Sequence, residues 1–162
     1  MSGEASTPAR RRRTISRSAR MTPGKGRNRP TKGKVSMATD LVIEIENEPG
    51  ALARVAAAVS DAGVNLAAAT CIGPGNRAEL HILVPHAEAV RHALAITNVA
   101  VTREREVVVV DVEDRPGELA DIARRVAKEG INLDLVYVAT HNRVVLGSPD
   151  IDKLRGALAK TH

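Results

Sequence analysis

Two short segments of the chain combine residue types that bind small carboxylates. Residues 47–52 read Asn-Glu-Pro-Gly-Ala-Leu, and residues 114–119, 67 positions further on, read Asp-Arg-Pro-Gly-Glu-Leu. We call them the first corner and the second corner. Glycine lets the backbone approach a bound group closely, and the first N–H groups of a helix have no partner within it. Each corner therefore predicts a carboxylate site, with about 0.3–1 kcal/mol from the helix dipole and roughly 1.5–3 kcal/mol from charge-assisted hydrogen bonds.

Both corners belong to a longer internal repeat. Residues 41–66 return as residues 108–133 with no gap, and Gly63-Val64-Asn65 returns as Gly130-Ile131-Asn132. A repeat at a fixed period indicates two copies of one supersecondary unit. We therefore expect a function located where the copies meet.

Periodicity predicts the elements that position the first corner. The first copy is predicted to be βαββαβ, with strand 41–46, helix 49–62, strands 64–72 and 77–84, a helix from Pro85, and a short strand 99–102. Alternating apolar residues indicate the strands, and apolar residues at helical spacing indicate the helices.

The second copy is predicted to be βαββα. Its elements are strand 107–112, helix 116–129, strands 131–140 and 143–146, and a helix that begins near Ser148 and Pro149. The chain reaches His162 without a last strand, so we expect the edge at 107–112 to be left for something else to cover. Homodimerisation through that edge is one way of covering it.

The pattern strand, Asn-x-Pro-Gly-x-Leu, helix, Gly-x-Asn resembles the ACT domain, and it occurs twice, within residues 39–104 and 105–162. The resemblance implies an α/β (α+β) fold of two ferredoxin-like βαββαβ domains side by side, forming a continuous antiparallel sheet with helices on one face. It also implies an amino acid bound between the domains, and a regulatory partner among enzymes of amino-acid metabolism, such as phosphoglycerate dehydrogenase or aspartokinase. No catalytic domain accompanies the repeats, so the chain resembles a free-standing sensor and not an enzyme.

The resemblance also implies which residues touch the ligand. They are Asn47, Gly50, Ala51, Leu52 and Asn65 from the first copy, and Asp114, Gly117, Glu118, Leu119 and Asn132 from the second. Pro-Gly can also serve purely as punctuation between elements, and the two Gly-x-Asn asparagines can merely satisfy turn backbone.

The two copies differ at the positions that would face each other. Residues 67–69 are all alanine, whereas their counterparts 134–136 are Asp, Leu and Val. We expect unequal sites, with the roomier one pairing the alanine strand with the second corner. There Asp114 would take a ligand ammonium group.

Charge is distributed unevenly along the chain. Residues 1–36 carry a net charge of +10, and the remainder carries −5. Residues 1–36 are predicted to be a disordered basic tail, since they have few apolar residues. The arginine run at 10–13 could bind nucleic acid through phosphate charge. Alternatively, translation could begin at Met37, in which case the tail would be absent.

Other kinds of site have little support. Cys71 is predicted to be a buried, inert thiol, and the five histidines lack the spacing of metal ligands, so no metal or cofactor is expected. A ferredoxin-like acylphosphatase is the enzymatic alternative, resting on Arg115 near Asn132. No signal peptide or membrane-length apolar run is apparent, which favours a cytoplasmic protein.

Overall fold

A computed structural model describes residues 33–159 of the chain, which form ten elements. These are β1 Val35–Glu46, α1 Ala51–Asp61, β2 Ala68–Ile72, β3 Arg77–Val84, α2 Ala87–Ile96, β4 Val101–Asp111, α3 Glu118–Lys128, β5 Leu135–Ala139, β6 Arg143–Gly147 and α4 Ile151–Ala159. The strands form one antiparallel sheet in the order β2-β3-β1-β4-β6-β5. The predicted α+β class, the tandem copies and the continuous sheet are confirmed.

Strands β1 and β4 are longer than predicted, and this length completes the second copy. The first half of β1, residues 35–40, pairs with residues 105–110 of β4, where a last strand of the second copy would lie. The second copy supplies no last strand of its own within residues 33–159, as predicted. Its edge at 107–112 is covered by β1 of the same chain and not by a second chain, so the structure does not support homodimerisation through that edge.

Strand β4 serves both copies because of one irregularity. The short strand predicted at 99–102 is not separate; it is the beginning of β4, which continues to Asp111. The register against β1 shifts between Val42, paired with Arg103, and Ile43, paired with Val101. The extra residue, Thr102, donates a hydrogen bond from its hydroxyl to the carbonyl oxygen of Val42 at 3.0 Å. This bulge turns Val101 toward the core of the first copy and Val108 toward that of the second.

Two aliphatic cores lie between the sheet and the helices. Helices α1 and α2 pack on the first core, around Leu41, Leu80 and Leu94. Helices α3 and α4 pack on the second core, around Val108, Leu146 and Leu154. Val35 and Met37 of β1 also pack against this second core. The strand therefore includes Val35 and Ser36, which were predicted to belong to the tail. Residues 1–32 of that tail lie outside the described part of the chain.

The helix-free face of the sheet is also buried in its centre. Leu83, Val107, Val109, Tyr137 and Val145 form a third apolar cluster there. The outer strands β2 and β5 approach each other on this side, which shows that the sheet is curled toward it. The backbone N–H and the hydroxyl of Thr140, next to β5, both donate to the carbonyl oxygen of Ala67, next to β2, at 3.0 Å. The two copies therefore meet across this face.

Candidate functional site: a cleft on the helix-free face

The polar groups of the first corner bond mostly within its own copy. Gly50 adopts a left-handed conformation with φ 91°, which favours glycine at this position. The side-chain nitrogen of Asn47 donates to the carbonyl oxygens of Gly73 and Gly75, at 3.1 and 2.8 Å. The N–H of Ala51 bonds to the carbonyl of Glu48 at 3.2 Å. Asn47 thus fastens the corner to the β2–β3 hairpin, and Leu52 remains exposed.

The second corner repeats this backbone and adds charge. Gly117 has φ 93°, and Glu118 and Asp121 stand in the first turn of α3. Arg115 lies 2.6 Å from Glu118 and 3.2 Å from Asp121. The pKa of the Asp121 carboxyl lies below its ordinary value because Arg115, then Arg124, donates hydrogen bonds to it. The helix N-terminus already faces two carboxylates of its own chain, which disfavours a ligand carboxylate.

The structure does not bring the two corners together. The first corner follows the end of β1, and the second follows the end of the antiparallel β4, where the N–H of Asp111 bonds to Lys34. Strand β1 has 12 residues, so at about 3.3 Å per residue the corners lie roughly 30 Å or more apart. The two corners therefore do not border a shared cleft.

A different cleft lies between the copies. It has a volume of about 330 Å³ and opens on the helix-free face. Its walls are Ser36, Met37 and Ala38 of β1, Asn65 and Ala67 before β2, Leu83, Val84 and Pro85 of the first copy, and Val109 and Arg143 of the second copy. We call it the Arg143 cleft. Among the predicted site residues, Asn65 lines it, and of the three alanines at 67–69 only Ala67 lies in its wall. Asp114 is not among its lining residues.

Arg143 gives the cleft its charge. Its side chain donates to Thr140, from Nε to the carbonyl oxygen at 2.8 Å and from Nη2 to the hydroxyl at 3.2 Å. No acidic side chain of residues 33–159 forms an ion pair with it within 4.0 Å. By contrast, Arg103 and Arg105, on the same face, are paired with Glu79 and Asp134. Arg143 is thus held in place while keeping capacity for an anion. The sequence alone identified it only as the start of a strand.

A buried polar chain runs beside this cleft, and the sequence alone did not predict it. Asp40 is fully buried; one carboxylate oxygen lies 2.7 Å from Nδ1 of His81, and the other accepts a hydrogen bond from the hydroxyl of Tyr137 at 2.6 Å. The other ring nitrogen of His81 lies 2.8 Å from Glu79. Burial, and then the hydrogen bond to Asp40, raise the pKa of Tyr137 above its ordinary value. His81 comes from the first copy and Tyr137 from the second, so Asp40 links them.

Three further expectations concern single residues or kinds of site. Cys71 is exposed, contrary to the prediction, because it lies on the outer strand β2 beyond the cover of the helices. Arg115, the basis of the acylphosphatase alternative, faces the carboxylates of Glu113, Glu118 and Asp121 in and next to its own corner. In the described part of the chain, no group of three potential metal-ligating side chains converges. None of the helices between residues 33 and 159 is long and apolar enough to cross a membrane.

Comparison with known proteins gives the fold a family. Residues 39–98 and 107–160 match the ACT domain. Protein BT0572 from Bacteroides thetaiotaomicron is 26% identical, with a TM-score of 0.69 over 76% of this chain and 88% of that one. The regulatory subunit of aspartate kinase from Thermus thermophilus is 17% identical, with a TM-score of 0.56 over 76% and 93%. The aspartokinase alpha and beta subunits are 16% identical, with a TM-score of 0.55 over 78% of this chain and 95% of that one. No curated protein matches the chain.

Proposed function

The chain belongs to the ACT domain family, and we propose that it is a regulatory module that binds one small carboxylate ligand, an amino acid, in the Arg143 cleft. Family membership and the regulatory aspartate kinase subunits of the same fold support a ligand-binding regulatory role rather than a catalytic one. The observation that carries the choice of site is Arg143, a positioned guanidinium without an ion-pair partner among the described residues, at the wall of a cavity shared by both copies.

The composition of the cleft suits an amino acid. Arg143 offers donors to the carboxylate, and Ser36 and Asn65 offer oxygen acceptors to the ammonium group. Ala38, Ala67 and the other aliphatic residues of the wall can enclose an apolar side chain. A volume of about 330 Å³ lies at the lower end of ordinary ligand pockets. With about ten heavy atoms, such a ligand should bind with micromolar or weaker affinity.

The corners support binding less well than this cleft. Leu52 and Leu119 are both about half exposed. Ala51 lines a cavity of about 700 Å³, but Glu44, Glu46 and Asp61 line it as well and disfavour a ligand carboxylate. The second corner also presents Glu113, Glu118 and Asp121 to any approaching anion. Water screens the remaining attraction at the exposed first corner.

Occupancy of the cleft can be passed on because its walls belong to different elements. Residues 36–38 belong to β1, Asn65 and Ala67 to the outer edge of the first copy, and Arg143 to the second copy. A ligand that contacts all three stabilises the arrangement of the two copies in which Thr140 bonds to Ala67. The receiver is proposed to be an enzyme of amino-acid metabolism or a second copy of this chain.

A thermal-shift screen of the twenty amino acids against the full chain tests the function. A ligand that binds only the folded state must raise the melting temperature. We expect one or a few amino acids to do so, and Arg143→Gln to weaken their binding by roughly 10- to 100-fold, the equivalent of a lost charge-assisted hydrogen bond.

Arg155→Gln is the matched control, because Arg155 is an exposed arginine of α4 that pairs with Asp152. It should leave every shift unchanged. Equal losses in the two variants, or ligand-induced shifts that survive Arg143→Gln in full, would show that the ligand binds elsewhere.

A further inference from the structure

The pairing of β1 with β4 is two-fold symmetric within one chain. Thr39 pairs with Glu106, its own counterpart in the repeat, so the pseudo-two-fold axis passes between them. On either side, Ala38 pairs with Val107 and Asp40 pairs with Arg105. Any feature between the copies must therefore have an equivalent position on the other side of this axis.

The position equivalent to the Arg143 cleft can be identified from the strand registers. Arg105 corresponds to Ala38 and Asp134 to Ala67 in the repeat. Gly147 corresponds to Leu83, because Leu135 pairs with Gly147 as Ala68 pairs with Leu83. Two small residues of the cleft wall are thus replaced by large charged ones, and a large residue is replaced by glycine.

These replacements fill the second position. The guanidinium of Arg105 lies 2.6 Å from the carboxylate of Asp134. A Cβ on Gly147 would lie 2.7 Å from Nη2 of Arg105 and 3.0 Å from its Cζ, so the absence of a side chain at 147 makes room for the guanidinium. Arg105 has only 21% of its side chain exposed.

Charges are balanced at this second position and not at the first. Glu79 corresponds to Arg143, because Ile72 pairs with Glu79 as Ala139 pairs with Arg143. Glu79 contacts Arg103, the counterpart of Ser36, at 3.3 Å. The second position therefore holds two arginines and two carboxylates of the chain itself.

We propose that Arg105 and Asp134 permanently occupy the second of two equivalent clefts, Asp134 supplying the carboxylate that a ligand supplies elsewhere, so that the chain binds one ligand rather than two. The expectation of one ligand per chain rests on the proposed function. The inference that Arg105 and Asp134 fill the second cleft does not. Removing the Asp134 carboxylate should leave a semi-enclosed guanidinium that accepts a small carboxylate from solution.

Formate is the probe for the space that the Asp134 carboxylate leaves beside Arg105. All variants carry Arg143→Gln, which removes binding at the first cleft. Asp134→Ala should lower the melting temperature, and formate should restore at least half of the loss in a saturable manner. Sodium chloride at equal ionic strength should not. Circular dichroism checks that the variant is folded, and Asp134→Asn, which keeps the shape, should show no rescue by formate.

Glu48→Ala is the matched control, since it frees Arg54, which pairs with Glu48 at 2.9 Å but is 59% exposed. Formate should not stabilise this variant beyond the effect of chloride. If formate and chloride act equally on Asp134→Ala, or if formate stabilises Glu48→Ala as much, the pair does not fill a carboxylate-sized cleft and the proposal is wrong.

Calorimetry with the amino acid of largest thermal shift then counts sites. The native chain, with Arg143, Arg105 and Asp134 all in place, should bind one per chain. Two ligands on the native chain would overturn the proposal. If no amino acid binds but formate rescues Asp134→Ala, the proposed function fails while the occupied second cleft stands.

Discussion

Asp40 shows how one residue joins the two copies. A fully buried carboxylate is costly unless hydrogen bonds compensate it, and Asp40 has His81 on one oxygen and Tyr137 on the other. These partners are 41 and 97 positions away in sequence. No motif spacing links the three residues, so this network could not be predicted from the sequence.

Titration of Tyr137 should make the fold sensitive to alkaline pH. Its pKa is raised in the folded state, mainly by burial and then by the hydrogen bond to Asp40, from an ordinary value of 10.0. A raised folded pKa stabilises the fold fully below the unfolded value, and that contribution is lost as pH rises above about 10. Urea unfolding between pH 8 and 11.5 should therefore show a fall in stability above pH 10 that is shallower in Tyr137→Phe.

The same substitution should cost about 1.5–3 kcal/mol at neutral pH, the usual contribution of a hydrogen bond to a charged group. Val138→Thr, on the exposed face of the same strand, is the control and should change little. Identical alkaline profiles for the native chain and Tyr137→Phe would mean that the phenol is not buried against Asp40.

At the scale of elements, the sequence could not predict how β1 and β4 are shared between the copies. The first half of β1 completes the second copy, and β4 begins in the first copy and continues into the second. Alternation of apolar residues begins clearly at Leu41, whereas residues 35–40 include Ser, Thr and Asp. Residues 103–106 are all charged, so two separate strands were predicted on either side of them. The structure has one continuous strand there, β4. The charges of residues 103–106 are tolerated because they lie outside the helix-covered cores, and Arg103 and Arg105 form ion pairs. The helices and hairpins, whose signals are local, were predicted to within a few residues.

Truncation measures how much the first half of β1 contributes to the stability of the second copy. A chain that begins at Gly33 keeps every residue of β1 and should melt at the same temperature as one that begins at Met1. A chain that begins at Leu41 loses the pairing to residues 105–110, Met37 from the second core, and Asp40. It should lose cooperative unfolding of the second copy and associate through the exposed edge of β4.

The comparison is read by calorimetry and size-exclusion chromatography. A monomeric, cooperatively melting chain from Leu41 would show that residues 35–40 are not a structural strand of the second copy.

At the scale of the whole molecule, duplication has produced two equivalent positions that have diverged. The difference between Ala67 and Asp134 was visible in the sequence and indicated unequal sites. Asn65 was also predicted, but Arg143 was not, because its place in the cleft depends on how the curled sheet brings the two copies together. The corners, by contrast, were recognised from their motif and are held apart by the length of β1.

A crystal structure of the full chain grown with the amino acid of largest thermal shift would show where the ligand binds. We expect one ligand per chain, with its carboxylate within hydrogen-bond distance of the Arg143 guanidinium and its ammonium group near Asn65. Density for the ligand at Gly50 or Gly117, with the Arg143 cleft empty, would contradict this expectation.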